Sequence, residues 1–412
     1  MKRCQNRVFE MHHPRMNNEV PPPRPVNSTV ELFCGIGGFR VAADRLGLRT
    51  VWANDLSDLA SKVYRDHFGS DELHEGDINA LLDSVPPHDL LTGGFPCQPF
   101  SAAGKKEGTR DPRGTLFQSI VDVLRRHTPS FFVLENVKRL LTMEGGSHFA
   151  TVLSALSGLG YLVEWRVLNA KHFGLAQNRE RVVLLGTRTD PGSADAVDIG
   201  ASLRLAGELD LVAGPRGIRS LLAERSAWKS LDRRIVKFPS WGVAMDGRFL
   251  GCDLPHFAVA RPAAYLRDVL ETAPSHEYDY TRQTLNRLHQ NEAVDRFVNG
   301  VEIISNQAGG ARMGYTIFGI GGLAPTLTAS TSRHYERYKV GEAYRRLTPI
   351  EYARLQGFSD DHCSAVAGYD QYMLLGNAVP PPMVEWVLGQ IVTSRSLPRD
   401  LPAIQQPELF DV

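Results

Sequence analysis

Net charge is the first thing this chain lacks: 46 Lys and Arg balance 46 Asp and Glu over 412 residues. Overall charge therefore carries no electrostatic sign of a nucleic-acid or membrane partner. Cysteine is sparse as well. Cys4, Cys34, Cys97, Cys252 and Cys363 are odd in number, widely spaced and without a C-x-x-C pair. That argues against a disulfide framework or a zinc site and fits a reducing compartment, so no metal is expected. No apolar run approaches a membrane span, and no hydrophobic segment follows Lys2 and Arg3 as a signal peptide would require. The expected location is cytoplasmic, with no membrane partner. What remains is an ordinary globular composition, 42% hydrophobic and 22% charged, long enough for a large core and two domains.

The charge is uneven along the chain. Between residues 200 and 340, 18 Lys and Arg stand against 14 Asp and Glu, which suits a phosphate or guanine partner and an ordinary solvated surface alike. Residues 1–27 end in Pro21-Pro22-Pro23-Arg24-Pro25 and read as a flexible lead-in. From Thr29 onward, short apolar runs alternate with helical patterns: STVELFCG, RTVWAND, HDLLTGG, FFVLENV and RVVLLGTR as strands, with helices between them. That rhythm predicts a doubly wound, mostly parallel α/β sheet covered on both faces. It stops near Asp190. Residues 191–340 are irregular and Arg-bearing and predict a smaller second domain. A helix then resumes at RRLTPIEYARLQG with Thr348 as N-cap, Pro349 at N1 and Glu351 at N3, a capping box. A last helix is expected after a turn at Gly376-Asn377, and 396–412 reads as a loose tail. Residues 28–190 and 341–395 thus form one domain.

Four clusters carry chemistry. LFCGIGGFR, at the first strand-to-helix junction, lets the backbone turn tightly and present amides to a ligand. The glycines do not follow G-x-G-x-x-G, which disfavours a nicotinamide-dependent oxidoreductase and leaves another nucleoside-bearing cofactor open. Asn54-Asp55 and Gly76-Asp77-Ile78 close the next two strands. Their carboxylates can bind a ribose diol or flank a base, and serve equally well as helix caps. Cys97 lies in GGFPCQPFSAAG, between Pro96 and Pro99 at the carboxyl edge of the sheet. A nucleophile and a structural turn are both open for it when it is read alone. Glu135 ends FFVLENV, where partial desolvation would raise its pKa and let it donate a proton. Arg179 and Arg181 enter RVVLLGTR at i and i+2 and so would share a face aimed at the cleft.

In this order the residues resemble the DNA cytosine-5 methyltransferases of bacterial restriction-modification type. Phe33 to Gly38 matches F-x-G-x-G-G. Pro96-Cys97-Gln98 is followed by Arg113-Gly114-Thr115-Leu116-Phe117, then Glu135-Asn136-Val137 and Q-x-R-x-R from Gln177 to Arg181. Arg346-Leu347-Thr348-Pro349 and Gly376-Asn377-Ala378-Val379 fit the closing motifs, and the match covers roughly half of the chain. The resemblance implies an S-adenosylmethionine-dependent methyltransferase fold and transfer of a methyl group to C5 of a cytosine in a specific duplex DNA sequence. S-adenosylhomocysteine is the product. The base is flipped out of the helix, Cys97 attacks C6, Glu135 contacts N3, and Arg179 with Arg181 orients base and nucleophile. The cofactor is expected against Phe33, Gly35, Ile36, Gly37, Gly38, Asp55, Leu56, Asp77, Ile78, Pro96, Leu116, Asn377 and Val379. Ser101, Arg113 and Thr326 are the expected DNA contacts, and 191–340 the target-recognition domain.

Two positions depart from the commoner family pattern: Asp55 stands where Glu is usual, and Leu56 where an aromatic ring often packs on adenine. Asp111-Pro112-Arg113 falls in the family's mobile loop, with Gly104 and Gly108 as hinges. The resemblance further implies a monomer that protects host DNA from a cognate restriction endonuclease without forming a stable complex with it. An RNA cytosine-5 methyltransferase and a non-catalytic DNA-binding relative are the alternatives. The large variable domain and Gln98 favour DNA, and intact Cys97, Glu135 and Arg179 favour catalysis.

Overall fold

Near-continuous buried runs, as in a sheet covered on both faces, build most of the first strands, β1 (Ser28–Leu32), β2 (Arg49–Asp55), β3 (Leu73–Glu75), β4 (Leu90–Gly94) and β5 (Phe131–Val137). The structure is a computed structural model describing residues 26–95, 112–189, 202–206, 222, 224–231, 237–254, 264–288, 292–306, 316–329 and 336–392. Side chains of the helix at 112–127 are described from residue 116. Pro96, Cys97, Ser101, Gly104, Gly108, the proposed tail at 396–412 and all but the end of the proposed lead-in lie outside the described residues. Arg113 is described by its backbone alone.

Helices α1 (Gly38–Arg45), α2 (Asp58–Phe68), α3 (Ile78–Leu81), α4 (Pro112–His127) and α5 (Ser147–Ser157) connect or follow these strands. Ser57 caps α2 by accepting the Ala60 N–H, and Gly69 closes it. Beyond them come β6 (Tyr161–Asn169), β7 (Glu180–Arg188), β8 (Lys229–Ser230), β9 (Trp241–Met245) and β10 (Arg248–Cys252). Among the described residues these ten strands form one sheet in the order β3-β2-β1-β4-β5-β7-β6-β9-β10-β8. The pairs among β3, β2, β1, β4 and β5 are parallel. From β7 outward they are antiparallel.

Period-2 alternation divides the sheet's side chains between two cores. Val30, Leu32, Leu91, Phe132, Leu134, Val182 and Leu184 pack with α4 and α5. Leu90, Phe131, Val133, Val183 and Leu185 face the other way, onto α1 and a C-terminal helix. Each such side chain contributes about 1.5–3 kcal/mol by leaving water.

The expected boundary at residue 190 cuts across this sheet. Strand β9 pairs with β6, and the buried Glu164 carboxylate on β6 accepts from Trp241 Nε1 at 2.8 Å, Arg204 N at 2.7 Å and Leu205 N at 2.9 Å. Covering the outer edge of β6 removes a row of unpaired backbone groups. Past α6 (Arg282–Leu288), a second sheet orders β11 (Glu292–Val298), β12 (Val301–Asn306), β13 (Ile317–Phe318), β14 (Arg337–Val340) and β15 (Ala343–Arg345) consecutively.

The chain then returns through α7 (Pro349–Gln356), α8 (Gly368–Asn377) and α9 (Pro381–Val392), and α9 packs against α1. The capping box of α7 is present in both directions. Glu351 also forms a buried bidentate pair with Arg345, at 2.7 and 2.8 Å. Gly376 and Asn377 are the last residues of α8 rather than a turn, because the Ala378 N–H still caps the Leu374 and Leu375 carbonyls. The bend falls instead at Ala378 to Pro380, before α9.

Candidate active site

A cavity of about 620 Å³ opens at the carboxyl ends of β1, β2, β4 and β5. The loop after β1 forms its floor. Phe33 (φ 56°), Gly35 (55°) and Gly37 (81°) all take left-handed conformations there, which a side chain resists and glycine does not. At Gly37 a Cβ would also stand 2.3 Å from the Phe68 ring, so the position is closed to larger residues. Phe33, Gly35, Ile36 and Gly38 line the cavity; Gly37 shapes the loop without lining it.

Two carboxylates stand along the wall. Asp55 Oδ2 accepts the Gly35 N–H at 2.7 Å and its Oδ1 the Ser57 N–H at 2.8 Å, so it ties the floor loop to the start of α2. Burial raises its pKa against these hydrogen bonds. Asp77 caps α3 through the Asn79 N–H at 2.9 Å. Both line the cavity, together with Leu56, Ile78, Leu116, Asn377 and Val379. Leu56 is 69% exposed although it is a large apolar residue. Of the other residues expected around a cofactor, Pro96 lies outside the described residues.

The far wall carries Glu135 and Arg181. Val137 pairs with Arg181 across β5 and β7, so Glu135, two residues earlier on the same face, is its diagonal neighbour. Arg181 Nε lies 2.8 Å from Glu135 Oε1, and both side chains are mostly buried. Burial raises the Glu135 pKa, outweighing the pull of Arg181 and Arg179. The result is a carboxyl that holds a proton more readily than in water, fixed beside a permanent cation.

Arg179 departs from the expectation. It precedes β7, so the two-residue alternation does not carry its side chain to the Glu135 side. Its guanidinium, 1% exposed, donates to the carbonyls of Leu327 at 2.9 Å and of Gly376 and Ala378 at 2.8 Å each. Arg179 therefore bonds three carbonyls on two backbone segments, one of which (376–378) lines the cavity wall, whereas Arg181 faces the cleft. Burial, and secondarily Arg181, pushes its pKa below the usual arginine range.

The C-5 cytosine-specific DNA methylase family profile matches residues 27–393. The chain belongs to this family. Type II methyltransferase M.HpaII of Haemophilus parainfluenzae is 31% identical over 390 residues, 92% of this chain and 91% of that relative. M.NgoBI of Neisseria gonorrhoeae is 47% identical over 159 residues, 38% of this chain and 50% of its own length. M.HaeII of Haemophilus aegyptius is 45% identical over 159 residues, 38% of this chain and 49% of its own length. The chain thus spans about half the length of these last two relatives. Two solved structures share the fold: Dnmt2 of S. pombe (TM-score 0.55, 18% identity, 90% of this chain and 100% of that one), and EhMeth of Entamoeba histolytica (TM-score 0.54, 13% identity, 89% and 98%).

Several residues of this site were not singled out by sequence. Asn136 Nδ2 donates to the Phe95 carbonyl at 2.8 Å, and the Phe95 ring packs on Phe117 with centroids 5.4 Å apart. The chain is thus held on both sides immediately before Pro96-Cys97. Gln177 donates to the Leu355 carbonyl at 3.1 Å and accepts the Leu327 N–H at 3.0 Å. Both residues stood inside quoted motifs, and a buried amide in a motif is the signal that marks such tethers. Thr326 donates its hydroxyl to the Asn178 carbonyl at 2.6 Å, which fixes the 324–329 segment beside the cavity wall. Cys34 also lines the cavity, and burial pushes its thiol well above the ordinary range.

Proposed function

We propose that this methylase transfers a methyl group from S-adenosylmethionine to C5 of a cytosine flipped out of a specific duplex DNA sequence. The observation that carries the reading is one cavity shared by two poles, Asp55 and Asp77 at one end and the Glu135–Arg181 pair at the other. A nucleoside fits the first pole: its volume lies in the ligand-site range, two carboxylates can accept from a ribose diol, and Phe33, Leu56 and Ile78 offer apolar contact. When bound, S-adenosylmethionine supplies an electrophilic methyl on its sulfonium sulfur and leaves as S-adenosylhomocysteine.

The second pole suits cytosine. Cys97, as thiolate, forms a bond to C6 while electrons of the C5–C6 double bond move toward N3. Glu135 supplies the proton there, which its raised pKa favours. Arg181 holds Glu135 in place and donates toward the base. C5, now nucleophilic, takes the methyl group, and Glu135 recovers its proton. The C5 proton departs to water, the C5–C6 double bond re-forms and the C6–S bond breaks, freeing Cys97. Two residues, Phe95 and Pro96, separate Gly94, which pairs with Glu135, from Cys97, a reach of at most about 11 Å over three peptide steps. Residues 191–340 read base edges, Thr326, Ser101 and Arg113 contact the strand, and residues 28–190 with 341–395 carry the chemistry. We further propose a cytoplasmic monomer that protects DNA from an endonuclease without a stable complex.

The decisive measurement maps methylated cytosines in DNA from cells expressing the protein. The wild type is expected to mark one short sequence, and Cys97→Ser none, a loss of at least about a thousandfold. Cys97→Ser marking at the wild-type level would overturn the thiolate step. Purified protein that methylates tRNA but not duplex DNA would overturn the choice of substrate.

A further inference from the structure

Outside the two poles, one contact to the cavity floor comes from the far end of the chain. His362, in the segment between α7 and α8, is 1% exposed, and its Nε2 lies 2.7 Å from the Ile36 carbonyl. The α1 ladder begins one residue later, where the Val41 N–H takes the Gly37 carbonyl at 2.9 Å. The imidazole is held in place by its neighbours: centroid distances are 4.2 Å to the exposed His67 ring and 4.4 Å to Phe358. Phe68, 6.1 Å from the same ring, fills the space a Cβ on Gly37 would take.

The geometry points to His362 as a positioning residue that holds the Gly35–Gly38 loop in the shape that receives the S-adenosyl cofactor. The inference rests on the cofactor reading above. Ile36 lines the cavity and sits between two left-handed glycines, the residues that lose most conformational freedom on ordering. Fixing the carbonyl between them sets the peptide plane and leaves the loop's inward face preorganised. A preorganised loop binds more tightly because less ordering remains to be done on binding.

The donor is available across the physiological range. Burial, reinforced by His67 and opposed by Asp361 and the Ile36 carbonyl, holds the ring near a pKa of about 4. It is therefore neutral at pH 6–8, and a neutral ring bonded to a carbonyl carries its proton on the bonded nitrogen. The anchor does not titrate in that range.

The test is a calorimetric titration of S-adenosylhomocysteine into wild type, His362→Phe and His362→Gln, alongside initial rates on unmethylated plasmid DNA. His362→Phe keeps an aromatic ring for the stack and lacks the donor; His362→Gln places an amide N–H near the position of Nε2. The expected result is a Kd roughly tenfold higher for His362→Phe, a matching rise in KM for S-adenosylmethionine with kcat nearly kept, and recovery in His362→Gln. Should His362→Phe not fold, His362→Asn replaces it, since its shorter amide cannot reach Ile36. Equal affinity in wild type and the donor-lacking variant overturns the inference and leaves the cofactor reading standing. So does equal weakening in both variants with lowered thermal midpoints, which assigns the residue to packing. A wild type that binds no S-adenosylhomocysteine overturns the cofactor reading itself, and this inference with it.

Discussion

Arg181 enters β7 opposite Val137 and reaches Glu135, while Arg179, just short of the strand, turns to the carbonyls of Leu327, Gly376 and Ala378. Removing the Arg179 guanidinium leaves buried acceptors unpaired. Arg179→Ala should therefore lower stability by roughly 3 kcal/mol or more, read as a shift of the urea midpoint. Arg179→Lys should recover only part of this, since an ammonium does not match the planar fork. Unchanged midpoints in both, with kcat alone reduced, would return Arg179 to the base. Glu135→Gln should act in the opposite manner: stability within about 1 kcal/mol of wild type and kcat reduced by 10²–10⁴-fold. Wild-type kcat in this variant would exclude proton donation. That the QNRER stretch mattered was legible from its apolar flanks. Which arginine faces the cleft was not, because the alternation that would orient both holds only inside a strand.

The loop after β1 depends on the strand that delivers it. Glu31 on β1 is 1% exposed, and burial raises its carboxyl from the usual 4.5 to about 8 against the pull of Arg40. An unfolded Glu31 loses its proton near pH 4.5, and the folded one only near 8. Wild-type stability should consequently fall as pH rises through that interval and level off above it. Glu31→Gln imitates the protonated form, so its thermal midpoint should gain on the wild type steadily from pH 5 to 8.5. Parallel midpoint curves would show that the carboxyl does not titrate there. At this scale the sequence was informative where the signal is local. Thr348, Pro349 and Glu351 announced α7 and its cap, and the glycines announced the loop. The helical ending at Gly376-Asn377 was hidden because its reason is distant: a Cβ on Gly376 would lie 2.4 Å from the Thr328 carbonyl.

Across the whole molecule, the doubly wound half followed from apolar runs separated by helical patterns, and the continuity of those runs foretold a sheet covered on both faces. Partner choice did not follow. Nothing in the periodicity of RVVLLGTR says that β7 inserts antiparallel between β5 and β6, or that β8–β10 extend the sheet, since pairing direction leaves no local trace in side-chain pattern. The packing of α9 on α1 carries a different consequence. Val26 and Val392 pack against one apolar cluster with Leu46 and Trp386, so the two ends of the described residues meet the same core. Segment order along the chain is then dispensable to the core. A circular permutant that joins 392 to 26 by a short Gly/Ser linker and opens at the exposed Asp246–Gly247 turn should keep the packed faces of the described residues. It should melt cooperatively within about 10 °C of the parent and bind S-adenosylhomocysteine with comparable affinity. A permutant without a cooperative transition would mean that the fold needs its segments threaded in their native sequence.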